Sequence, residues 1–265
     1  MPEERGLWIS KSAPRGLWRK EYNVSIVIQL QRVTKIYCGR PVVNDLSLSV
    51  KRGSVFGFLG ENGAGKTTTI KMIVGLIRPD KGAITIGGSP VDDVLVRARI
   101  GFMPESPYFY ERLTGIEFLR FCGELFPGNK KRDTDYFEIL RRVDIYDVRN
   151  AAIRTYSKGM KQRLGFAQAL VNDPDYILLD EPLDGLDPVG RKEVKDIIRS
   201  LHGEGKTVFF NSHILYDTEE LCDEIGVIHE GRLLYSGPLA GFSRGMSLED
   251  RFVETVEARR KAHAL

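Results

Sequence analysis

Glycine, lysine and threonine are concentrated in the stretch GENGAGKTTT, in which Gly60 is followed after four residues by Gly65, Lys66 and Thr67. Glycines let a backbone turn its N–H groups towards one point, and a lysine adds a positive charge beside them. This spacing is typical of a phosphate-binding loop, with Lys66 on the outer phosphates and the Thr67 hydroxyl as a Mg²⁺ ligand. The alternative is a glycine-rich turn that binds nothing.

The residues on either side of this loop favour phosphate binding. The stretch SVFGFLG before it is mostly apolar and predicts a buried parallel strand. The stretch KTTTIKMIVGLI after it has helical spacing of its apolar residues, which predicts a helix from about Lys66. Because the N-terminus of a helix stabilises a bound anion, strand, loop and helix occur in the order that the motif requires.

A second apolar run, YILLDEP, ends in the acids Asp180 and Glu181. Ligands of open α/β sheets bind at the carboxyl ends of strands. Asp180 is therefore expected to hold the hydration shell of a Mg²⁺ ion, and Glu181 to accept a proton from an attacking water. The other interpretation is a solvated acidic turn, against which the preceding apolar run argues.

The stretch TYSKGMKQRLGFAQALV predicts a helix that begins near Ser157 and carries Lys158, Lys161 and Arg163 in its opening turns. Cations are unfavourable at a helix N-terminus. Either a bound anion or an acidic neighbour in the same chain would offset that cost, and periodicity leaves both explanations open.

The composition is that of an ordinary globular chain, with 265 residues, 42% of them hydrophobic, and a formal net charge of +3. This length can bury one core and a subdomain, and so small a charge does not favour nucleic acid as a partner. Three scattered cysteines show no metal or redox spacing and suit a reducing cytosol. No apolar stretch is long enough to span a bilayer, so membrane association is expected only through a partner.

The order of the patterns predicts an α/β fold. The alternating stretches SIVIQLQRVTKIY and VVNDLSLSV, together with the strand before the loop, predict a mixed β lobe. Helical spacing in IEFLRFCGELF and DYFEILRRVDI predicts an inserted helical subdomain, about residues 91–172. The strands in PDYILLDEP, KTVFFNSH and EIGVIHEG alternate with helices and predict a parallel-sheet core. Residues 1–24 are expected to be a poorly ordered extension or the result of a start codon assigned too early, and residues 241–265 a helical tail.

Taken in order, these motifs resemble those of the ATP-binding cassette (ABC) ATPases, and the resemblance covers about residues 25–240. The loop resembles the Walker A motif, and Asp180 with Glu181 resembles Walker B. Residues 157–159 resemble the signature motif and residues 185–187 the D-loop.

Three single residues complete the resemblance. His213 matches the switch histidine, Glu105 stands where the family usually has the Q-loop glutamine, and Tyr37 matches the aromatic residue that stacks on adenine. Without the family, His213 would more often be a structural histidine, and Tyr37 would as readily be an ordinary tyrosine at a strand end. Glu105 departs from the family pattern and adds a negative charge beside phosphate.

The resemblance implies a P-loop NTPase of the ABC ATPase fold that hydrolyses ATP with Mg²⁺. Glu181 and His213 are the implied catalytic residues, and Thr67, Glu105 and Asp180 the implied metal-binding residues. The implied nucleotide contacts are Tyr37, Gly60, Glu61, Asn62, Gly63, Ala64, Gly65, Lys66, Thr67, Thr68, Ser157 and Gly159.

The resemblance also implies that the signature of one subunit faces the γ-phosphate held by the Walker A loop of another. Lys158 and Met160 replace the commoner glycine and glutamine of the signature, but Ser157 and Gly159 remain. Binding of the γ-phosphate across the dimer is therefore expected to survive.

With one phosphate loop and no membrane-spanning stretch, the chain resembles the ATPase subunit of a transporter that is built from separate chains. The stretches GFMPESPYFYERLTGIEFL and SLEDRFVETV resemble the exporter branch, although the second could be an ordinary surface helix. The implied partners are an integral membrane permease and a second ATPase subunit, identical or paralogous, with no nucleic acid. The implied location is the cytoplasm, at the inner face of the cell membrane. The alternative is a soluble ABC-type ATPase that acts on ribosomes or DNA.

Overall fold

Two β-sheets with helices packed around them make up the fold in the computed structural model, which describes residues 25–126 and 130–263. The predicted extension, residues 1–24, lies outside the described residues. The strands are β1 (Ile26–Tyr37), β2 (Arg40–Lys51), β3 (Val55–Leu59), β4 (Lys81–Ile86), β5 (Ser89–Pro90), β6 (Ile100–Met103), β7 (Tyr176–Asp180), β8 (Thr207–Ser212), β9 (Glu224–His229) and β10 (Arg232–Pro238). The helices are α1 (Lys66–Ile73), α2 (Val94–Arg97), α3 (Gly115–Glu124), α4 (Asp133–Arg142), α5 (Lys158–Leu170), α6 (Pro188–Gly203), α7 (Leu215–Leu221), α8 (Leu239–Ser243) and α9 (Leu248–His263), with a 3₁₀ turn at Ile153–Thr155.

The smaller sheet has the strand order β2-β1-β4-β5, and all its pairs are antiparallel. The alternating sequence pattern belongs to the long strands of this sheet, in which inward-facing apolar side chains such as Ile28 and Leu46 are fully buried. The strand before the phosphate loop, β3, is not part of this lobe. The prediction of a mixed lobe that includes β3 is therefore wrong in this detail.

The larger sheet has the order β10-β9-β3-β8-β7-β6, and every pair is parallel except β10 with β9. Every residue of β3, β7, β8 and β9 is buried. Helices cover one face of this sheet, and α1 together with the smaller sheet covers the other. The carboxyl ends of β3, β7 and β8 meet at one edge, where Leu59 pairs with Ser212 and Asp180 with Asn211. This edge is where the phosphate loop and the acidic pair come together.

Helices α3, α4 and α5 form the helical part of the predicted insertion. Phe109 and Phe118 pack edge to face within its core, with ring centroids 5.2 Å apart. The stretch 91–172 is not wholly helical, because it also contains β6, which pairs with β7 in the larger sheet. Apart from the short α2, the helices of this stretch therefore follow β6, an edge strand of the core.

The C-terminal residues form the helices α8 and α9, within the predicted tail apart from the first two residues of α8. Leu248 and Val256 of α9 are buried, and Phe252 packs against the core. Residues 264–265 lie outside the described residues. Across residues 25–126 and 130–263, none of the helices has the length and apolar character that crossing a membrane requires.

Candidate functional site

The phosphate loop lies between β3 and α1, and its shape depends on two glycines. Gly65 has a φ of 106°, and a side chain there would come within 2.7 Å of the Val42 carbonyl oxygen. A side chain at Gly60 would come within 2.5 Å of the Ile228 carbonyl oxygen. Because an L-residue fits neither position without strain, the glycines of the motif have a steric reason in this fold.

Lys66 is the first residue of α1, and its side chain is only 6% exposed. Its ammonium donates to the carbonyl oxygens of Gly60 at 2.7 Å and Glu61 at 3.3 Å. It also lies 3.4 Å from a carboxylate oxygen of Glu181. A buried ammonium needs such oxygen partners, and they place this cation between the loop and the end of β7.

Asp180 is almost fully buried at the end of β7, with 1% of its surface exposed. Its Oδ1 accepts hydrogen bonds from the Thr67 hydroxyl at 3.2 Å and from the Asn211 side-chain amide at 2.6 Å. Burial raises the pKa of Asp180, while these two hydrogen bonds oppose the shift. The carboxylate is therefore close to the Thr67 hydroxyl and screened from bulk water.

The donors around Thr67 and Asp180 fit a Mg²⁺ ion. This ion prefers oxygen ligands and is usually held by one or two protein groups, with water and phosphate oxygens completing the shell. The described residues contain no group of three or more His, Cys, Asp or Glu side chains that could hold a metal by themselves. A hydroxyl beside one carboxylate is thus a fitting donor set for a metal shared with a phosphate ligand.

Glu181 and His213 are paired at the same edge of the sheet. The His213 ring Nδ1 lies 2.9 Å from Glu181 Oε2, and the His213 backbone N–H donates to that oxygen at 3.2 Å. Glu181 has a φ of 49°, an uncommon backbone conformation for a non-glycine residue. Its own N–H donates to the Asn211 side-chain oxygen at 2.8 Å, which helps to hold that conformation.

An open cavity of about 480 Å³ lies where these elements meet. It brings the phosphate loop, the Q-loop position Glu105 and the Glu181–His213 pair together. Asp180 sits behind Thr67 rather than on the cavity surface. The lining residues are Val42, Glu61, Asn62, Gly63, Gly65, Lys66, Thr67, Thr68, Glu105, Glu181, Asp184 and His213.

Five predicted contact residues do not line this cavity: Tyr37, Gly60, Ala64, Ser157 and Gly159. Gly60 and Ala64 belong to the phosphate loop itself, whereas the other three lie elsewhere. Tyr37, at the end of β1, is 45% exposed, and the Lys35 ammonium lies 5.5 Å from the centre of its ring. Ser157 caps α5, since its hydroxyl accepts from the Met160 N–H at 3.2 Å. Gly159 lies in the first turn of the same helix. The signature motif thus lies outside the cavity of its own chain.

The cations at the start of α5 have different surroundings. Lys161 pairs with Glu111 at 2.7 Å, and Arg163 pairs with Asp144 at 3.1 Å. An acidic neighbour is therefore the explanation for these two residues. Within the described part of the chain, Lys158 has no ion-pair partner.

Asn211 is a site residue that the sequence analysis missed. It is fully buried in β8 and contacts both the Asp180 side chain and the Glu181 backbone. The available signal was an amide inside the apolar run TVFFNS, two residues before His213. A polar residue at the carboxyl end of a buried strand is expected to have a partner there.

Comparison with known proteins identifies the family of this chain. The sequence profile of a family described as ABC transporter matches residues 43–184. A Synechocystis protein, named as an uncharacterized ABC transporter ATP-binding protein, is 45% identical over 227 residues, which cover 81% of this chain and 63% of that protein. The fluoroquinolones export ATP-binding protein of Mycobacterium tuberculosis is 38% identical over 214 residues, covering 78% of this chain and 69% of that protein. The chain thus spans less than two thirds of the length of the Synechocystis relative.

The fold is also that of a solved structure described as the ATP binding subunit of an ABC transporter. The two superimpose with a TM-score of 0.78 at 30% sequence identity. The match covers 86% of this chain and 99% of the other. The predicted fold class is confirmed by this similarity.

Proposed function

The chain belongs to the ABC transporter family of ATP-binding proteins, and from that premise we propose that it binds and hydrolyses ATP to drive a separate membrane permease. The observation that carries the proposal is the convergence of three groups at one cavity. These are the Lys66 ammonium, the Thr67–Asp180 pair and the Glu181–His213 pair. Together they provide a phosphate-binding cation, a Mg²⁺ donor set and a positioned carboxylate.

Nucleotide binding is assigned to the phosphate loop and α1. The loop offers backbone N–H groups and the positive end of α1 to the phosphates, and Lys66 adds a full charge. Thr67 and Asp180, with Glu105 on the cavity wall, are the proposed protein ligands and outer contacts of Mg²⁺. The metal, when bound, neutralises charge that develops on the phosphate oxygens.

Glu181 is proposed as the general base that takes a proton from the attacking water. Two contacts from His213 orient one of its carboxylate oxygens, and Lys66 lies near the other. Because the carboxylate is already oriented, no further side-chain entropy is lost when it accepts a proton from a water. His213 is assigned the positioning of Glu181 and, through its other ring nitrogen, of the reacting phosphate.

A complete site is proposed to need two copies of the ATPase subunit, identical or paralogous. Ser157 and Gly159 lie outside the cavity of their own chain but belong to the motif that meets ATP across the dimer in the resembling family. Lys158 is next to both, is exposed, and has no ion-pair partner in the described ranges. These features support a surface that meets a polyanion held by another chain.

The proposed partner in the membrane contacts the segment between Glu105 and Leu113. Tyr108 and Tyr110 in this segment are 91% and 58% exposed, and aromatic side chains are favoured at interfaces. The segment directly follows a residue of the cavity wall, so contact there would sense the nucleotide. Export is the proposed direction, in line with the name of the Mycobacterium tuberculosis relative, a fluoroquinolones export ATP-binding protein.

The proposal is tested by measuring ATP turnover of Glu181→Gln. The matched control is Glu138→Gln, which changes an exposed side chain of α4. A positioned general base contributes about 10²–10⁴-fold in rate. Turnover of Glu181→Gln is therefore expected to fall at least about a hundredfold while ATP binding, measured by filter retention, persists. Glu138→Gln is expected to match the wild type. Near-normal turnover of Glu181→Gln would remove this residue from the role of base.

A further inference from the structure

One carboxylate of the phosphate loop is held by residues from two distant parts of the chain. The Arg260 guanidinium of α9 donates to Glu61 Oε1 at 2.7 Å. The ring Nδ1 of His229, at the end of β9, lies 3.0 Å from Glu61 Oε2. Each oxygen of Glu61 therefore has its own nitrogen partner, although Glu61 lines the cavity assigned to the triphosphate.

The packing of α9 against the protein places Arg260 beside the phosphate loop. Leu248, Phe252 and Val256 recur every four residues and attach one face of this helix to the protein. Arg260 is the next residue in the same series, so it lies on the anchored face. The position of its guanidinium is thus set by the buried part of the helix.

Glu61 is also linked to the lysine of the loop through its backbone. Its carbonyl oxygen accepts from the Lys66 ammonium at 3.3 Å and from the Ala64 N–H at 3.1 Å. The Ala64 carbonyl in turn accepts from the N–H of Gly231, in the turn after β9. A movement of the Glu61 side chain would therefore also affect the backbone carbonyl of the same residue, which accepts a hydrogen bond from the Lys66 ammonium.

We propose that Arg260 is a positioning residue for nucleotide binding, which it aids by holding the Glu61 carboxylate away from the phosphates and compensating its charge. This proposal rests on the proposed ATP-binding function. A carboxylate without that partner raises the negative potential in a cavity that must accept a polyanion. The C-terminal helix thereby becomes part of the nucleotide site, although it belongs to none of the family's motifs named above.

The size of the effect follows from the exposure of the pair. Arg260 and Glu61 are 59% and 41% exposed, so solvent screens their interaction. Exposed pairs of this kind correspond to an affinity change of about two- to fivefold. Because the cause is electrostatic, the effect should grow with the charge of the ligand and shrink at high salt.

The test compares Arg260→Gln with Lys261→Gln, which removes the same charge from the next residue of α9 but no contact with Glu61. Dissociation constants for ATP, ADP and adenosine are measured by calorimetry without Mg²⁺, so that no hydrolysis occurs. Arg260→Gln is expected to weaken ATP binding about two- to fivefold, ADP binding less and adenosine binding not at all. Lys261→Gln is expected to change the ATP constant by less than Arg260→Gln does.

Measuring ATP affinity also for Glu61→Gln and for the double variant Glu61→Gln/Arg260→Gln completes a double-mutant cycle. If Arg260 acts through Glu61, the second substitution has no further effect on ATP affinity once Glu61 is neutral. An equal loss in both backgrounds, an equal loss for adenosine, or no loss at all would overturn the positioning role while wild-type ATP binding stays intact. A wild-type protein that binds no ATP would instead overturn the proposed function, and this inference with it.

Discussion

At the scale of single residues, positive and negative side chains lie close together in the cavity. Binding of a nucleotide would have to change these contacts. The Lys66 ammonium lies 3.4 Å from Glu181, and both side chains are less than a tenth exposed. Glu61 and Glu105 add further negative charge to the same walls. Because charges interact strongly where solvent is limited, the proposed triphosphate ligand would need Lys66 and Mg²⁺ to offset this cost.

Replacing Lys66 with alanine is expected to weaken ATP binding at least about tenfold and to abolish turnover. Hydrogen bonds to a charged group contribute about 1.5–3 kcal/mol, which is of the order of one to two factors of ten in affinity. Calorimetry of Lys66→Ala measures the change, and Lys81→Ala, at the exposed start of β4, is the control. Unchanged ATP affinity in Lys66→Ala would count against the loop as the phosphate site.

Local sequence patterns predicted Lys66 and Asp180 as site residues but did not predict Asn211. Lys66 and Asp180 belong to local patterns, a glycine loop and an apolar strand ending in acids, and these can be read directly in the sequence. The contact of Asn211 with Asp180 joins residues 31 positions apart. It depends on which strands are neighbours, and a strand pattern carries no information about its neighbour.

At the scale of elements, the same limitation explains the misplaced strand. β3 follows two strands of the antiparallel lobe in the sequence, yet it pairs with β8 and β9, more than 140 residues further along. Its fully apolar sequence was the signal for the parallel sheet, because an antiparallel strand with one exposed face alternates. β6 has only four residues between helical patterns and offers little periodicity of its own.

The packing of these elements predicts one fast-reacting thiol per chain. Cys38 is exposed, whereas Cys122 in α3 and Cys222 after α7 are buried. Burial raises the pKa of the Cys122 thiol to about 11 and that of Cys222 well above its usual range. At pH 8 only about one in a thousand Cys122 thiols is ionised, so a thiolate-selective reagent should label Cys38.

The measurement is a thiol count with a chromogenic disulfide reagent in the native and denatured protein. One fast thiol is expected in the native protein and three in denaturant, since the chain has three cysteines. Cys38→Ser should abolish the fast phase. Two fast thiols in the native protein would contradict the packing of α3 or α7 described above.

At the scale of the whole molecule, the proposed role requires a membrane partner. Coexpressed with a permease encoded beside it, the protein is expected to sediment with membranes. Because Tyr108 is 91% exposed on the proposed contact segment, Tyr108→Ser should lower the membrane-bound fraction. Val253→Ser, on the exposed side of α9, is the control. Sedimentation with ribosomes in place of membranes would favour the alternative, an ABC-type ATPase that acts on ribosomes.

The two-chain site is the central claim, because Ser157 and Gly159 do not line the cavity that holds Lys66. Glu181→Gln keeps the size and hydrogen-bonding capacity of the side chain but removes its basicity and charge. ATP should then remain bound between two chains, because the step that releases them is blocked. The wild type, which on the proposed function hydrolyses its ATP, should return to the monomer.

Size-exclusion chromatography with light scattering in Mg-ATP tests this claim most directly. The predicted result for Glu181→Gln is a stable species with twice the mass of one chain and one ATP per chain, while Glu138→Gln behaves as the wild type. An ATP-loaded Glu181→Gln protein that runs as a monomer would contradict the two-chain site.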